Sequence, residues 1–235
     1  MGQKDTFVIA QGTDGSTLDP HAHSEVTTGN ILFQIYEPLV RRNVKMEIEP
    51  WLAVSWQRIS ETCVEFRLRE NVFFHNGEPF DAEAVKFSFE RMADPTREPK
   101  FPPYGRFSSI DHVEIIDTYT VRVHTNRIDP NLMSALTNLQ VIPPKYFAEV
   151  GEKQFAVQPC GTGPFRFVEW KRDQGEVLMA ANDQYWGGVS DIRKLKFVAV
   201  PDGGDRVSGL LAGTIDLAAN FPPSEKDRAE AQGFS

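Results

Sequence analysis

Three stretches carry residues whose types and spacing are capable of chemistry. "HAH" sets His21 and His23 two positions apart, and His75 offers a third imidazole for a metal. No acidic or cysteine partner stands at ligand spacing, so the pair reads as solvated loop histidines. "HNGEPFDAE" offers His75, Glu78, Asp81 and Glu83 for the acid–base work of a hydrolase. Asn76-Gly77 is also a turn signal, however, and Asp81 stands where a helix needs an N-cap. "CGTGPF", residues 160–165, has the glycine density of a phosphate-cradling loop. Such a loop needs a helix directly behind it, because the anion sits on the unpaired N–H groups of the helix N-terminus. Here Phe165, Arg166, Phe167, Val168, Glu169 and Trp170 occupy that place, alternate with period two and read as a strand. The stretch therefore reads as a tight turn in which the glycines supply unusual φ values and Pro164 leads the chain into a sheet. No G-x-S-x-G, H-E-x-x-H or P-loop pattern occurs, so no catalytic and no metal residue is assigned.

Composition narrows the partners. The 235 residues are 40% hydrophobic and 25% charged, with a formal net charge of -8 and the basic residues scattered. Nucleic acid and anionic membrane surfaces are poor partners for such a chain. No apolar run has the length of a membrane span, and "MGQKDTFVIA" lacks the pattern of a secretory signal. Either the protein is cytosolic or a signal has been removed. Cys63 and Cys160 form no metal pattern and no C-x-x-C, and in "TCVEFRL" Cys63 falls on the more polar face, which favours two unpaired thiols. Nothing calls for a cofactor.

These residues need elements to hold them. "TFVIA", residues 6–10, reads as a strand buried on both faces, stopped by the loop "QGTDGSTLDP" and succeeded by a helix from about Ser24 to Pro38. From about Val44 the chain turns to short alternating segments, "SWQRI", "CVEFRL" and "VFFH". Asp81 then caps a helix with Val85, Phe89 and Met92 on one face. "DPTREPKFPPYGRFSS" has four prolines and reads as irregular. A hairpin around Asp117-Thr118, a helix from Asp129-Pro130, and a shorter helix from Pro143-Pro144 closed by Gly151 come next. The tail reads as strand "KLKFVAV", helix 205–212 with Gly213 behind it, and strand "IDLAA", a parallel crossover. Residues 1–43 and 161–235 thus form an α/β body, with residues 44–160 inserted as a β-rich subdomain.

Eight stretches in one order carry a family resemblance: "LDPH" (18–21), "IYEPLVR" (35–41), "PWLAVSW" (50–56), "FRLRENVFFHNGEPFDAEAVKFSFER" (66–91), "IPPKYF" (142–147), "GTGPF" (161–165), "NDQYWGG" (182–188) and "VPDGGDRVSGLLAGTIDL" (200–217). Together they resemble the family 5 extracellular solute-binding proteins of ABC importers, receptors for dipeptides, oligopeptides, nickel or glutathione. The resemblance implies a periplasmic binding protein type II-like fold, of which this chain is lobe I only, and a periplasmic location with the signal peptide removed. It implies a non-enzymatic receptor that takes a small-molecule or short-peptide ligand and passes it to the membrane permease of an ABC transporter. Family chains run on into a second lobe, so the chain reads as an N-terminal fragment, its end "SEKDRAEAQGFS" starting a helix capped by Ser224. The family builds its lobe I cavity wall from the loop after the first strand and the loop after the "FSFER" helix. Those positions match Thr13, Asp14, Gly15, Tyr104 and Arg106. The first set has an independent reason, since ligands in open α/β sheets sit beyond the strand C-terminal ends. Tyr104 offers an aromatic face and Arg106 a cation for a carboxylate. The alternative reading is a secreted hydrolase using the carboxylates near His75.

Overall fold

A computed structural model describes residues 5–231 and 233 of the chain. In chain order the strands are β1 (Thr6–Gln11), β2 (Val40–Arg42), β3 (Ile48–Pro50), β4 (Ala53–Ser60), β5 (Cys63–Leu68), β6 (Ile110–Asp117), β7 (Thr120–Thr125), β8 (Phe165–Lys171), β9 (Glu176–Ala181), β10 (Lys194–Ala199) and β11 (Leu217–Ala218). The helices are α1 (Val26–Ile35), α2 (Ala82–Ala93), α3 (Tyr104–Phe107), α4 (Leu132–Leu136), α5 (Pro144–Phe155), α6 (Gly203–Leu211) and α7 (Lys226–Glu230). The chain divides into two compact units, one of Met1–Ser16, Glu25–Ile31 and Pro164–Ser235, the other of Thr17–Ser24 and Leu32–Gly163.

The first unit is built on a five-stranded sheet in the order β11-β1-β10-β9-β8. β1 lies between β10 and β11 and is parallel to both, so the β10–α6–β11 segment is a parallel crossover that passes β1. β8 and β9 add an antiparallel hairpin, whose Val177, Met179 and Ala181 alternate into the core. β1 is less enclosed than its apolar run suggests. Its first four residues are half-buried, and only at Ala10 and Gln11, neighbours that point to opposite faces, are both faces covered. Asp202 caps α6 by accepting from the Asp205 amide, so the helix starts at Gly203, two positions earlier than the sequence reading places it.

The second unit is built on a four-stranded antiparallel sheet, β4-β5-β7-β6, with α2 packed on β6 and a small β2–β3 hairpin beside it. β5 buries Val64, Phe66 and Leu68 as its alternation predicts. Asp81 caps α2 by accepting from the amides of Glu83 and Ala84. The helix then buries Val85, Phe89 and Met92, each large side chain contributing about 2 kcal/mol through area removed from water. The predicted hairpin turns between β6 and β7. Gly151, with φ 73°, breaks α5 into two pieces where the sequence places a stop, but the chain resumes helix to Phe155.

Three expectations change. Cys63 lies on the polar face of β5, with Glu65, Glu114 and Arg122 near it, yet it is buried there, opposite His124 on the neighbouring strand, whose Nε2 lies 3.9 Å from its sulfur. Burial pushes the Cys63 thiol pKa up, and neither Cys63 nor Cys160 forms a disulfide among the described residues. The proline-rich stretch contains one helical turn, α3. Ser224 does not cap α7: it lies inside a 3₁₀ turn, Pro223–Glu225, and Glu225 precedes the helix without a capping side-chain bond. The first four residues of the N-terminal stretch, and Gln232, Phe234 and Ser235 of the tail, lie outside the described residues.

Candidate functional site

In the first unit the loop after β1 begins at the carboxyl end of a parallel strand, where neighbouring loops also emerge. The Gln11 carbonyl still accepts from Val200 and the Ala10 carbonyl from Ala219, which fixes where all three loops leave the sheet. Thr13 is exposed, Asp14 half-buried and Gly15 buried. The Asp14 carboxylate is held at both oxygens: Oδ1 accepts from the Gly15 amide at 2.7 Å and Oδ2 from the Trp170 indole N–H at 2.8 Å. Arg172 stacks on Trp170, 3.9 Å from the ring centroid, and donates to the Ser16 carbonyl at 3.3 Å. Thr13 and Ser16 are tied to α1 through the hydroxyls of Thr27 and Thr28. The loop is thus pre-set rather than free, which lowers the ordering cost of any ligand it meets.

Arg206 on α6 lies beneath this region and was not singled out by sequence. It is 6% exposed, and its guanidinium donates to the carbonyls of Val200, Pro201 and Asn220 at 2.6, 3.0 and 3.1 Å. One buried cation therefore fixes the loops that leave β10 and β11. Nothing in a lone arginine on an amphipathic helix announces that role.

In the second unit Tyr104 and Arg106 stand on the single turn of α3. Tyr104 is half-buried, with the Lys100 ammonium 5.3 Å from its ring centroid, and Arg106 is exposed. Arg106 lines a cleft of about 560 Å³ together with Arg127, Asp129, Asn131 and Asn138. The turn is fastened to the loop after β7. The Asn126 amide donates to Ser109 O at 2.9 Å, the Ser109 hydroxyl donates to Asp129 Oδ2 at 2.5 Å, and Arg127 reaches Ser108 O and Oγ at 3.5 and 3.2 Å. Thr13, Asp14 and Gly15 belong to one unit, and Tyr104 and Arg106 to the other.

The groups weighed for hydrolysis or metal binding have structural partners. His75 is buried, its Nε2 3.0 Å from Gly163 O and its Nδ1 3.4 Å from the Gly161 amide, so it bridges the glycine turn. Glu78 accepts from the amides of Lys145 and Tyr146, where α5 begins, and Asp81 caps α2. His21 is fully buried and not solvated. Its Nε2–H donates to Gln140 O at 2.9 Å and its Nδ1 accepts from Arg91 at 2.8 Å. Arg91 makes a two-point contact with Asp19 at 3.0 and 2.6 Å and lies over the rings of Phe101 and Phe147. Burial and the Arg91 charge bring the His21 pKa down to about 4. Burial alone would raise the Asp19 pKa, but the hydrogen bond and charge of Arg91 outweigh it and the net shift is downward. The glycines also work differently from the expectation. Neither Gly161 nor Gly163 has a positive φ; a Cβ on Gly161 would lie 2.0 Å from Ile35 O, and one on Gly163 2.6 Å from Gln34 O. Close backbone approach, not φ, requires them.

Residues 47–234 match the family described as bacterial extracellular solute-binding proteins, family 5 Middle. Heme-binding protein A of Haemophilus influenzae is 32% identical over 239 residues, covering 90% of this chain and 43% of its own length. The nickel-binding periplasmic protein of Escherichia coli is 29% identical over 220 residues, covering 91% and 41%. The solved structure of the periplasmic binding protein DppA from Helicobacter pylori, in complex with the peptide STSA, superposes with a TM-score of 0.85 at 28% identity, covering 96% of this chain and 48% of that one. The chain spans less than half the length of these relatives.

Proposed function

The chain belongs to the bacterial extracellular solute-binding proteins of family 5, and on that footing we propose that it is the solute-capturing component of an ABC importer. Its fold is the mixed α/β fold of the type II periplasmic binding proteins, matched over about half of their chains. In this reading it binds a peptide or similarly small solute in the periplasm and hands it to a membrane permease without transforming it. The first unit serves as the α/β body of a lobe and the second as its inserted subdomain. Thr13, Asp14 and Gly15 in the one, and Tyr104 and Arg106 in the other, are the proposed ligand-contacting residues.

The observation that carries this reading is the family match over residues 47–234. Relatives named for heme and nickel, and a solved relative holding a peptide, fit a scaffold that accepts varied small solutes. The employment of His75, Glu78 and Asp81 in turn and helix capping supports it further, because a general acid or base must be able to reach a substrate proton.

Native mass spectrometry of the protein purified without denaturation tests the reading, together with titration against short peptides, heme and nickel. A retained small solute, or saturable binding of one of these ligands, is expected. Steady turnover of chromogenic esters or glycosides, lost in both Glu78→Gln and Asp81→Asn, would overturn it in favour of a hydrolase.

A further inference from the structure

The cleft beside α3 is walled by arginines without an acidic partner. Arg106 makes no side-chain hydrogen bond or ion pair among the described residues. Among the described residues the Arg127 side chain bonds only to Ser108 and Asn126 Oδ1, all uncharged groups. A third arginine, Arg42, reaches the rim by donating to the Ser134 hydroxyl at 2.6 Å, and its other contact is the Met46 carbonyl. The one carboxylate lining the cleft, Asp129, forms no ion pair with any of the three among the described residues: Oδ1 accepts from the Asn131 amide at 2.8 Å and Oδ2 from the Ser109 hydroxyl. In a chain of net charge -8, three arginines around one cleft, none in an ion pair among the described residues, make a local excess of positive charge.

We propose that this cleft binds an oxyanion, a carboxylate or phosphate group, with Arg106 and Arg127 as its direct donors and Arg42 adding charge at the rim. A guanidinium presents a planar set of N–H donors matched to two oxygens of such a group. Arg127 is braced against Ser108, so its head is already positioned, while Arg106 keeps every N–H available. The cleft volume of about 560 Å³ holds a group of this size together with part of the molecule carrying it. The inference deepens the receptor reading, and rests on it for the anion being part of a captured solute. It makes the preferred solutes anionic, with the charged end held in the second unit.

The test monitors the arginine Nε–H resonances by ¹⁵N NMR at low ionic strength, titrating with succinate, with inorganic phosphate, and with an uncharged acetylated peptide amide. The Arg106 and Arg127 signals are expected to move together along one saturation curve with at least one anion, and the tighter anion identifies the oxyanion. Arg106→Gln should weaken that anion by about tenfold, the value of one charge-assisted hydrogen bond. Because Arg106 has no partner to lose, this variant should keep its thermal midpoint; Arg127→Gln should weaken binding similarly. Unchanged resonances at saturating anion, or an equal response at Arg67 on β5, would overturn the site. Binding of the uncharged amide while both anions leave Arg106 and Arg127 unmoved would also overturn it, yet leave the receptor reading standing.

Discussion

His75 and Gly163 are joined across 88 positions of sequence by a 3.0 Å hydrogen bond from the buried imidazole Nε2 to the glycine carbonyl. With Nδ1 facing the Gly161 amide, the ring is fixed as the neutral tautomer protonated at Nε2. The same turn donates from the Gly163 amide to Ile35 O at 2.9 Å and from the Thr162 hydroxyl to Glu37 Oε2 at 2.7 Å. The glycine turn is therefore clamped against the end of α1 from several sides.

A methyl group has no room in that clamp. Gly163→Ala places its Cβ 2.6 Å from a backbone oxygen, which no rotamer change relieves. The expected loss is roughly 2–3 kcal/mol of unfolding free energy, and more for Gly161→Ala, with its contact at 2.0 Å. Gly105→Ala, with nothing within 4 Å and no positive φ, should stay within about 0.5 kcal/mol of the parent. Urea denaturation of the three variants measures the difference. Equal stability of Gly163→Ala and Gly105→Ala would show that the turn is not packed in this way.

The Asp19–Arg91–His21 cluster predicts acid sensitivity. His21 is neutral in the folded protein down to about pH 4, whereas in the unfolded chain it takes up a proton near its ordinary 6.5. Between those values the unfolded state binds more protons, so stability falls as pH falls, by up to about 3 kcal/mol. Asp19, whose folded pKa is lowered, adds a loss of the same sign below its ordinary 3.8. In His21→Gln the slope of stability between pH 6.5 and 4 should flatten, while the loss in stronger acid remains. Chemical denaturation at a series of pH values reads both, and an unchanged slope in the variant would remove His21 as its source.

What the sequence made legible was local. The Asp81 cap, the alternation of Val64, Phe66 and Leu68, and the Gly151 break all depend on neighbours within a few positions. The buried role of His21 was not legible, because Arg91 and Gln140 lie 70 and 119 positions away and no periodicity reports them. Gly161 and Gly163 were recognisable as obligatory glycines, but the reason, the approach of Ile35, is tertiary. Of the candidate site, the loop after β1 came from the family resemblance, with its place at a strand's carboxyl end as an independent reason, whereas Trp170, the residue that orients Asp14 from 156 positions away, was signalled by neither.

Arg206 is the next place where one residue governs several loops. Arg206→Met keeps much of the side-chain volume but strands three carbonyl oxygens that the guanidinium now satisfies. A loss of roughly 3 kcal/mol is expected. Arg206→Lys should recover only part of it, since one ammonium cannot match the spread of the guanidinium fork. Hydrogen exchange adds the spatial prediction: the amides of Val200, Asp202 and residues 219–221 should lose protection before those of β9. Uniform loss across the sheet would mean that Arg206 supports the whole unit rather than these loops.

The Trp170–Asp14 contact separates loop positioning from loop charge. Trp170→Phe keeps a ring for Arg172 to stack on but removes the indole N–H that holds Asp14 Oδ2 at 2.8 Å. Because the pair is only part-buried, the stability cost should be about 1 kcal/mol rather than the full value of a buried charged hydrogen bond. Asp14→Asn keeps an acceptor for the indole and should cost less, while deleting the charge. If the loop after β1 contacts solute, Trp170→Phe should weaken binding of the retained ligand by loosening Asp14. Asp14→Asn should then weaken it only for ligands that carry a positive group. Calorimetric titration of both variants with one cationic and one neutral peptide distinguishes the two effects. Full affinity in Trp170→Phe, alongside the expected loss of stability, would show that the indole bond matters for folding and that Asp14 takes no part in the site.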